Sequence, residues 1–105
     1  MKEINHLSIF VGSTKTRIKR MCGVTVSFKT KEIGYSNKEF VKHIESTFCD
    51  GMSWDNRSEW HIDHIKPISI FLKDGVTCIK TINNLNNLQA LWATENQSKG
   101  AKYDA

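Results

Sequence analysis

The sequence of 105 residues predicts a small, single α+β domain. Three observations support this fold class. Residues 37–48 carry apolar side chains at helical spacing, residues 59–65 and 88–92 have the composition of strands, and residues 95–102 follow as a polar helix. The order strand, long connection, strand, helix over residues 59–102 therefore predicts a C-terminal ββα unit preceded by an amphipathic helix.

The N-terminal third is strongly basic and is the hardest part to interpret. Residues 4–11 are compatible with a strand or a short helix, and residues 24–28 with a strand. Seven Lys or Arg against two Glu give residues 1–35 a formal charge of +5, and the rest of the chain carries −1. We therefore separate a basic segment, residues 1–32, from the main domain at residues 33–105, and expect a polyanionic partner.

The predicted amphipathic helix has a clear start signal. Ser36 and Glu39 have the spacing of a capping box, in which each side chain binds the other residue's backbone amide. Four apolar residues then share one helical face: Phe40, Val41, Ile44 and Phe48. Gly51 lies near the expected end of this helix.

The sequence also contains stop and start signals for the predicted C-terminal strand and helix. Pro67 should stop the first strand, and residues 69–84 form a long connection with a turn at Asp74-Gly75. Thr94 is a suitable N-cap for the last helix, with Gln97 three residues later.

Polar residues that could support metal-assisted hydrolysis lie at the end of the first strand. Asp63 offers the hard oxygen ligand that Mg²⁺ or Mn²⁺ prefers, and the neutral imidazole of His64 could serve as a general base. Side chains alternate along a strand, so both can reach one site only if the strand twists or ends there. His61 lies on the Asp63 face and could support the site, contact phosphate or pack.

Downstream carboxamides and a lysine could complete such a site. Composition does not show which of four asparagines would belong to the site: Asn83, Asn84, Asn86 or Asn87. Runs of Asn are usually turns. A carboxamide there could hold a loop or orient an imidazole. On the last helix Asn96 offers a neutral oxygen ligand, and Lys99 one turn later could contact phosphate. The alternative for both is an exposed polar face.

Three blocks in order carry a family resemblance: Asp63-His64 with Pro67, then Asn87-Leu88-Gln89, then Asn96 with Lys99-Gly100. Over roughly residues 33–102 the chain resembles phage-type HNH endonucleases. The resemblance implies a ββα-metal fold that holds one divalent cation through Asp63 and Asn96. It further implies that His64 is the general base and that Asn87 positions it. Asn96 stands where many members have His, which favours Mg²⁺ or Mn²⁺ over Zn²⁺.

Composition argues against several other classes of protein. Cys22, Cys49 and Cys78 form no C-x-x-C pair, so structural zinc is not expected, and we expect small buried thiols in a reducing compartment. The sequence contains no apolar run long enough for a membrane span and no recognisable signal peptide. The expected location is the cytoplasm of a bacterial or phage-infected cell.

The resulting functional hypothesis is a metal-dependent DNA endonuclease. We expect its substrate to be double-stranded DNA and a monomer to nick one strand. Its oligomeric state is left open. Four basic side chains are expected to contact DNA phosphates: Lys15, Arg17, Lys19 and Arg20. The alternative is a non-catalytic DNA-binding module with the same fold, which would have no need for the complete set of polar residues.

Overall fold

A computed structural model describes residues 4–99. It contains five α-helices and two strands, in this order: α1 His6–Cys22, α2 Asn37–Ser46, β1 Trp60–His64, α3 Ile68–Lys73, α4 Ile79–Ile82, β2 Leu88–Trp92 and α5 Ala93–Lys99. Three single-turn 3₁₀ helices lie between them, at Thr30–Ile33, Trp54–Asn56 and Leu85–Asn87. The described part of the chain is thus a small α+β domain, as the sequence predicts.

Helix α1 resolves the open interpretation of residues 4–11 in favour of a helix, which is much longer than expected. The Asn5 side chain accepts from the Ser8 amide at its start, and Gly23 ends it with a φ of 77°, a left-handed conformation that glycine adopts without strain. One face of α1 is buried: Leu7, Phe10, Val11, Thr14 and Ile18. The basic segment therefore belongs to the same core as the rest of the domain.

Two expectations about the N-terminal half and the cysteines are wrong. Residues 24–28 form no strand, because the sheet of the described chain has only two strands, which pair with each other. Val24 is exposed, and the segment is held instead by Lys15, whose Nζ donates to the Phe28 carbonyl at 3.0 Å. The three cysteines are exposed rather than buried.

Helix α2 confirms the predicted capping box. The Glu39 amide donates to Ser36 Oγ at 3.0 Å, and the Ser36 amide donates to the Glu39 carboxylate at 3.3 Å. Phe40 and Ile44 are fully buried beneath the helix. It ends at Ser46, two residues before the expected end, because Thr47 turns the chain and its hydroxyl donates to the Ile44 carbonyl.

The two strands form an antiparallel pair that leads directly into α5. Trp60 pairs with Trp92, and His64 pairs with Leu88 at the other end. The long connection between the strands is not irregular: it contains the short helices α3 and α4, which bury Ile68, Phe71, Ile79 and Ile82. Residues 100–102 of the predicted last helix lie outside the described residues.

One core joins all of these elements. Trp60 is completely buried, and its indole Nε1 donates to the Ser53 carbonyl at 2.8 Å. Phe48 and Trp54 pack edge-on against it, with ring centroids 5.0 and 5.2 Å away. Within residues 4–99 no helix is both long and apolar enough to cross a membrane.

Candidate functional site

Residues from four elements, α1, β1, α3 and α5, surround a small cavity of about 60 Å³ where β1 ends. Asp63 and His64 come from β1, Asn96 comes from α5, and Arg17 comes from α1. We call this the site cavity. It brings together the predicted metal ligands, the predicted base and one of the predicted phosphate contacts.

The end of β1 explains how adjacent residues reach one cavity. Burial alternates at the start of the strand but not at its end, where Ile62, Asp63 and His64 are all buried. His64 is the last strand residue, and beyond it the Ile65 amide donates to the Asn87 carbonyl at 2.8 Å. The strand thus ends at the predicted site. Asp63 and His64 can therefore both reach it, although side chains along a regular strand alternate between its two faces.

Asp63 is held by two donors on one of its oxygens. Oδ2 accepts from Lys99 Nζ at 2.7 Å and from Gln89 Nε2 at 2.9 Å. The carboxylate is only 6% exposed, so the ion pair with Lys99 lies largely out of water. Lys99 also donates to the His64 carbonyl at 3.0 Å and thereby ties α5 to the end of β1.

His64 is buried among groups that fix its ring. The imidazole is 4% exposed and stacks on Phe10 at a centroid distance of 5.3 Å. Its Nε2 lies 2.7 Å from Asn83 Oδ1, whereas its Nδ1 is buried without a hydrogen-bond partner in the described structure. One nitrogen is therefore anchored and the other is free.

The orientation of Asn83 favours one tautomer of His64. The Thr14 hydroxyl has two acceptors within reach, the Phe10 carbonyl at 3.1 Å and Asn83 Oδ1 at 3.3 Å, and it accepts from Asn83 Nδ2 at 3.1 Å. In this orientation Asn83 presents its carbonyl oxygen to the imidazole, and Nε2 of His64 carries the proton. The lone pair of the ring accordingly lies on Nδ1, the nitrogen without a partner.

Burial keeps this imidazole neutral. It lowers the pKa of His64 from the usual 6.5 to about 4, against the opposing effect of the hydrogen bond to Asn83. The positive charges of Arg17 and Lys99 lower this pKa further, while Asp63 raises it. The His64 imidazole is thus neutral throughout the neutral pH range.

Asn87 and Asn83 divide the two roles that the sequence left open. Asn87 holds a loop: its Oδ1 accepts from the Lys66 amide at 2.7 Å, and its Nδ2 donates to the carbonyls of Lys66 and Ile82. The side chain that binds the imidazole of His64 is Asn83. The family pattern pointed to Asn87, and the buried position of Asn83 behind α4 could not be inferred from the sequence.

Asn96 and His61 form a pair at the edge of the site cavity. Asn96 Nδ2 lies 2.9 Å from His61 Nδ1, in an orientation that leaves the carboxamide oxygen of Asn96 free. His61 is half-buried and does not line the site cavity. In the described structure His61 thus holds the Asn96 carboxamide in place.

The four basic residues of α1 have different surroundings. Lys15 Nζ binds the Phe28 carbonyl and Lys19 Nζ binds the Gly23 carbonyl at 3.1 Å, so both ammonium groups stabilise the chain after α1. Arg17 lines the site cavity, and partial desolvation lowers its pKa, with a smaller contribution from Arg20. Arg17 is the residue that links the basic helix to the site.

The cavity offers few side chains that could bind a divalent cation. Within residues 4–99 no three His, Cys, Asp or Glu side chains cluster as metal ligands. The available donors are one carboxylate (Asp63) and one carboxamide oxygen (Asn96). Such a sparse oxygen set suits Mg²⁺, which keeps several waters and binds through one or two carboxylates plus substrate phosphates. It does not suit tetrahedral zinc.

An Asn83→Ala variant should lose about 1–3 kcal/mol of stability, because the Nε2–H of His64 would remain buried without an acceptor. Asn86 is exposed in the same Asn-rich run, so Asn86→Ala is the matched control and should stay within about 0.5 kcal/mol of the parent. Urea unfolding measures both values. Equal stability of the two variants would contradict the anchoring role of Asn83.

Stability should also fall as the pH is lowered from about 6.5 to about 4. In this window the unfolded chain protonates His64 and the folded chain does not, since its folded pKa is about 4. The shift corresponds to a loss of roughly 3 kcal/mol, complete near pH 4 and absent above pH 7. Urea unfolding across this range should show a shallower loss in His64→Gln. Identical pH profiles would mean that His64 titrates normally in the folded protein.

Comparison with known proteins gives one distant relative. An uncharacterized protein of Acanthamoeba polyphaga mimivirus is 35% identical over 74 residues, which is 70% of this chain and 33% of the relative. The chain thus spans about a third of the length of that curated relative. No model of a known protein family and no solved structure matches the chain.

Proposed function

We propose that this protein is a divalent-metal-dependent DNA endonuclease of the HNH type, with its active site in the site cavity. The observation that carries the proposal is the state of His64. A buried, neutral imidazole is anchored through Nε2, and its free Nδ1 has the lone pair of a general base. The same cavity contains Asp63 and Asn96, the oxygen donors that such a nuclease needs for one cation.

The remaining arrangement agrees with a ββα-metal fold. The antiparallel strands β1 and β2 lead directly into α5, and the polar residues come from the end of β1 and the inner side of α5. Asp63 and Asn96 would hold the cation. When bound, the cation would supply Lewis-acid stabilisation of the leaving 3′ oxygen.

The chain's own residues would perform the proton transfer and the binding. His64 Nδ1 would take a proton from the attacking water, while Asn83 and Phe10 hold the ring in place. Arg17 would bind the scissile phosphate as it gains charge. The products would be a 3′ hydroxyl and a 5′ phosphate, and one site per chain would nick a single strand.

Phosphate contacts away from the cut would come from the exposed face of α1. Arg20 is best placed for them, because Arg17 faces the site cavity and the ammonium groups of Lys15 and Lys19 already bind backbone carbonyls. Such contacts release counterions, so affinity for DNA should decrease with salt and depend little on sequence.

One feature favours the second candidate function, a non-catalytic DNA-binding module. Lys99 forms a 2.7 Å ion pair with Asp63, so an ammonium group already neutralises the carboxylate that the cation would need. In an endonuclease Lys99 would release Asp63 on cation binding and move to the phosphate. In a binding module the ion pair would be permanent.

The test of the endonuclease is the chemistry of the cut ends. Labelled duplex DNA is incubated with the protein in Mg²⁺ or Mn²⁺, and the cleaved strands are examined for their terminal groups. The proposal requires strands that end in a 3′ hydroxyl, which a polymerase extends directly. Cleavage that leaves a 3′ phosphate would contradict the mechanism, and binding without cleavage would support the binding module.

A further inference from the structure

A groove continues from the site cavity along α1. A second cavity of about 340 Å³ shares Arg17, Ile62 and Asn96 with the site cavity. A third cavity of about 380 Å³ shares Phe10 and Arg57 with the second, as well as Ile62. The three cavities therefore adjoin one another, and a chain molecule with one group in the site cavity could extend through the other two.

The far end of this groove is aromatic and apolar. His6 and Trp54 are stacked there with ring centroids 4.1 Å apart and an angle of 27° between their planes. Ile4 and Ile9 line the same cavity and are 59% and 66% exposed, which is unusual for isoleucine. We call this end the aromatic cavity. Flat apolar surfaces of this kind accept planar rings.

The middle of the groove is positively charged. Arg17 and Arg57 both line the second cavity, and no Asp or Glu lines the second or the aromatic cavity in the described part of the chain. Arg57 is fixed: its guanidinium lies 4.4 Å from the centre of the Trp60 ring and donates to the Trp60 carbonyl at 2.8 Å. The nearby carboxylate of Glu45 is occupied by Trp54 Nε1 at 2.8 Å.

We infer that this groove binds an unpaired nucleotide next to the scissile phosphate, with its base in the aromatic cavity and its phosphate between Arg17 and Arg57. The inference rests on the proposed function and names the substrate class: DNA in which a base beside the cut is unpaired. A nucleotide has the required pattern of charge, anionic at the backbone and planar and apolar at the base.

Size and geometry favour a nucleotide over a protein segment. The aromatic cavity is within the range of small-ligand pockets and adjoins a positively charged channel. Among residues 4–99 no acidic side chain lines it, and the nearby Glu45 carboxylate already accepts from Trp54, so a basic peptide would find no free acidic partner there. A base that is paired and stacked in a duplex is held inside the double helix and is not free to enter the aromatic cavity while the neighbouring scissile phosphate lies in the site cavity. Unpairing exposes the base and removes most of the energetic cost of extracting it.

The test compares affinity for a fully paired duplex with affinity for the same duplex carrying one bulged nucleotide. Fluorescence anisotropy is measured in EDTA, so that no cleavage is involved. The parent protein should bind the bulged duplex roughly tenfold more tightly, the usual contribution of one stacked base. Ile9→Ser and His6→Ala should each reduce this preference and leave affinity for the paired duplex unchanged.

Met21→Ser is the matched control for Ile9→Ser. Met21 is a 47% exposed apolar residue of the same helix that lines none of the three cavities, so this variant should keep the full preference. Circular dichroism establishes that all variants are folded. A preference that is lost in both groove variants and kept in Met21→Ser supports the inference.

The contrary results separate this inference from the proposed function. Equal affinity of the parent protein for both duplexes, or a preference that persists in Ile9→Ser and His6→Ala, overturns the nucleotide groove and leaves the endonuclease standing. A groove-dependent preference without any cleavage in metal supports the groove and contradicts the endonuclease. Failure to bind either duplex overturns both.

Discussion

Replacement of His64 by Gln is expected to slow DNA cleavage by a factor of roughly 10²–10⁴, the usual contribution of a general base. Glutamine has no nitrogen lone pair that accepts a proton at neutral pH, so activation of water is lost. It is preferred to alanine because His64 is 4% exposed and stacks on Phe10, and a smaller side chain would leave a void.

His43→Gln is the matched control. His43 is also anchored by one nitrogen, which lies 2.9 Å from the Leu88 carbonyl, but it does not line the site cavity. Single-turnover cleavage of labelled DNA should show a large loss for His64→Gln and a small one for His43→Gln. A folded His64→Gln variant that cleaves at the parental rate would remove His64 from the mechanism.

Replacement of Asp63 by Asn is expected to produce the largest loss of metal affinity. Asp63 would be the one charged ligand, whereas Asn96 offers a neutral oxygen. The loss of metal affinity should exceed roughly 10–100-fold, which is the usual effect of mutating a residue that only hydrogen-bonds to a metal ligand. Calorimetric titration with Mn²⁺ and Mg²⁺ measures it directly, and cleavage should fall in parallel because the leaving oxygen would lose its stabilising charge.

Asp74→Asn makes the same chemical change at another ion pair. Asp74 lies 3.5 Å from Lys66 and its side chain is 56% exposed, so this variant should bind metal and cleave DNA like the parent. Because Asp63→Asn also weakens the ion pair with Lys99, its folding is checked by thermal unfolding. If a folded Asp63→Asn variant binds Mn²⁺ as tightly as the parent, the cation site lies elsewhere.

Local signals in the sequence identified the elements around the site. The capping box at Ser36 and Glu39 marked the start of α2 to the residue. The apolar composition of β1 and β2 gave both strands nearly within their observed limits. These are short-range patterns that the chain satisfies by itself.

Helix α1 shows what local pattern alone could not decide. Its buried residues Leu7, Val11 and Ile18 have helical spacing, but the exposed Ile9 and the buried Thr14 obscure the apolar face. Thr14 is buried because it binds Asn83, a contact between residues 69 positions apart. The prediction of a strand at residues 24–28 was wrong for a related reason. The two strands of the described sheet pair with each other and leave residues 24–28 without a partner strand.

Some of the predicted site residues line the site cavity, whereas Asn87 and Lys99 do not. The motif placed Asp63, His64 and Asn96 together, and the structure gathers all three at one cavity. The anchoring of His64 by Asn83 and the entry of Arg17 from α1 depend on tertiary packing. The sequence treated Arg17 only as one member of a basic cluster, although its contact with the cavity separates it from Lys15 and Lys19.

The most direct test of a metal-dependent nuclease site in this cavity is the conversion of supercoiled plasmid to nicked circles by the purified protein. Nicked circles should accumulate with Mg²⁺ or Mn²⁺, stop accumulating when excess EDTA is added, and form far more slowly with His64→Gln. Plasmid that remains supercoiled with folded, DNA-bound protein in both metals would contradict the assignment of the site.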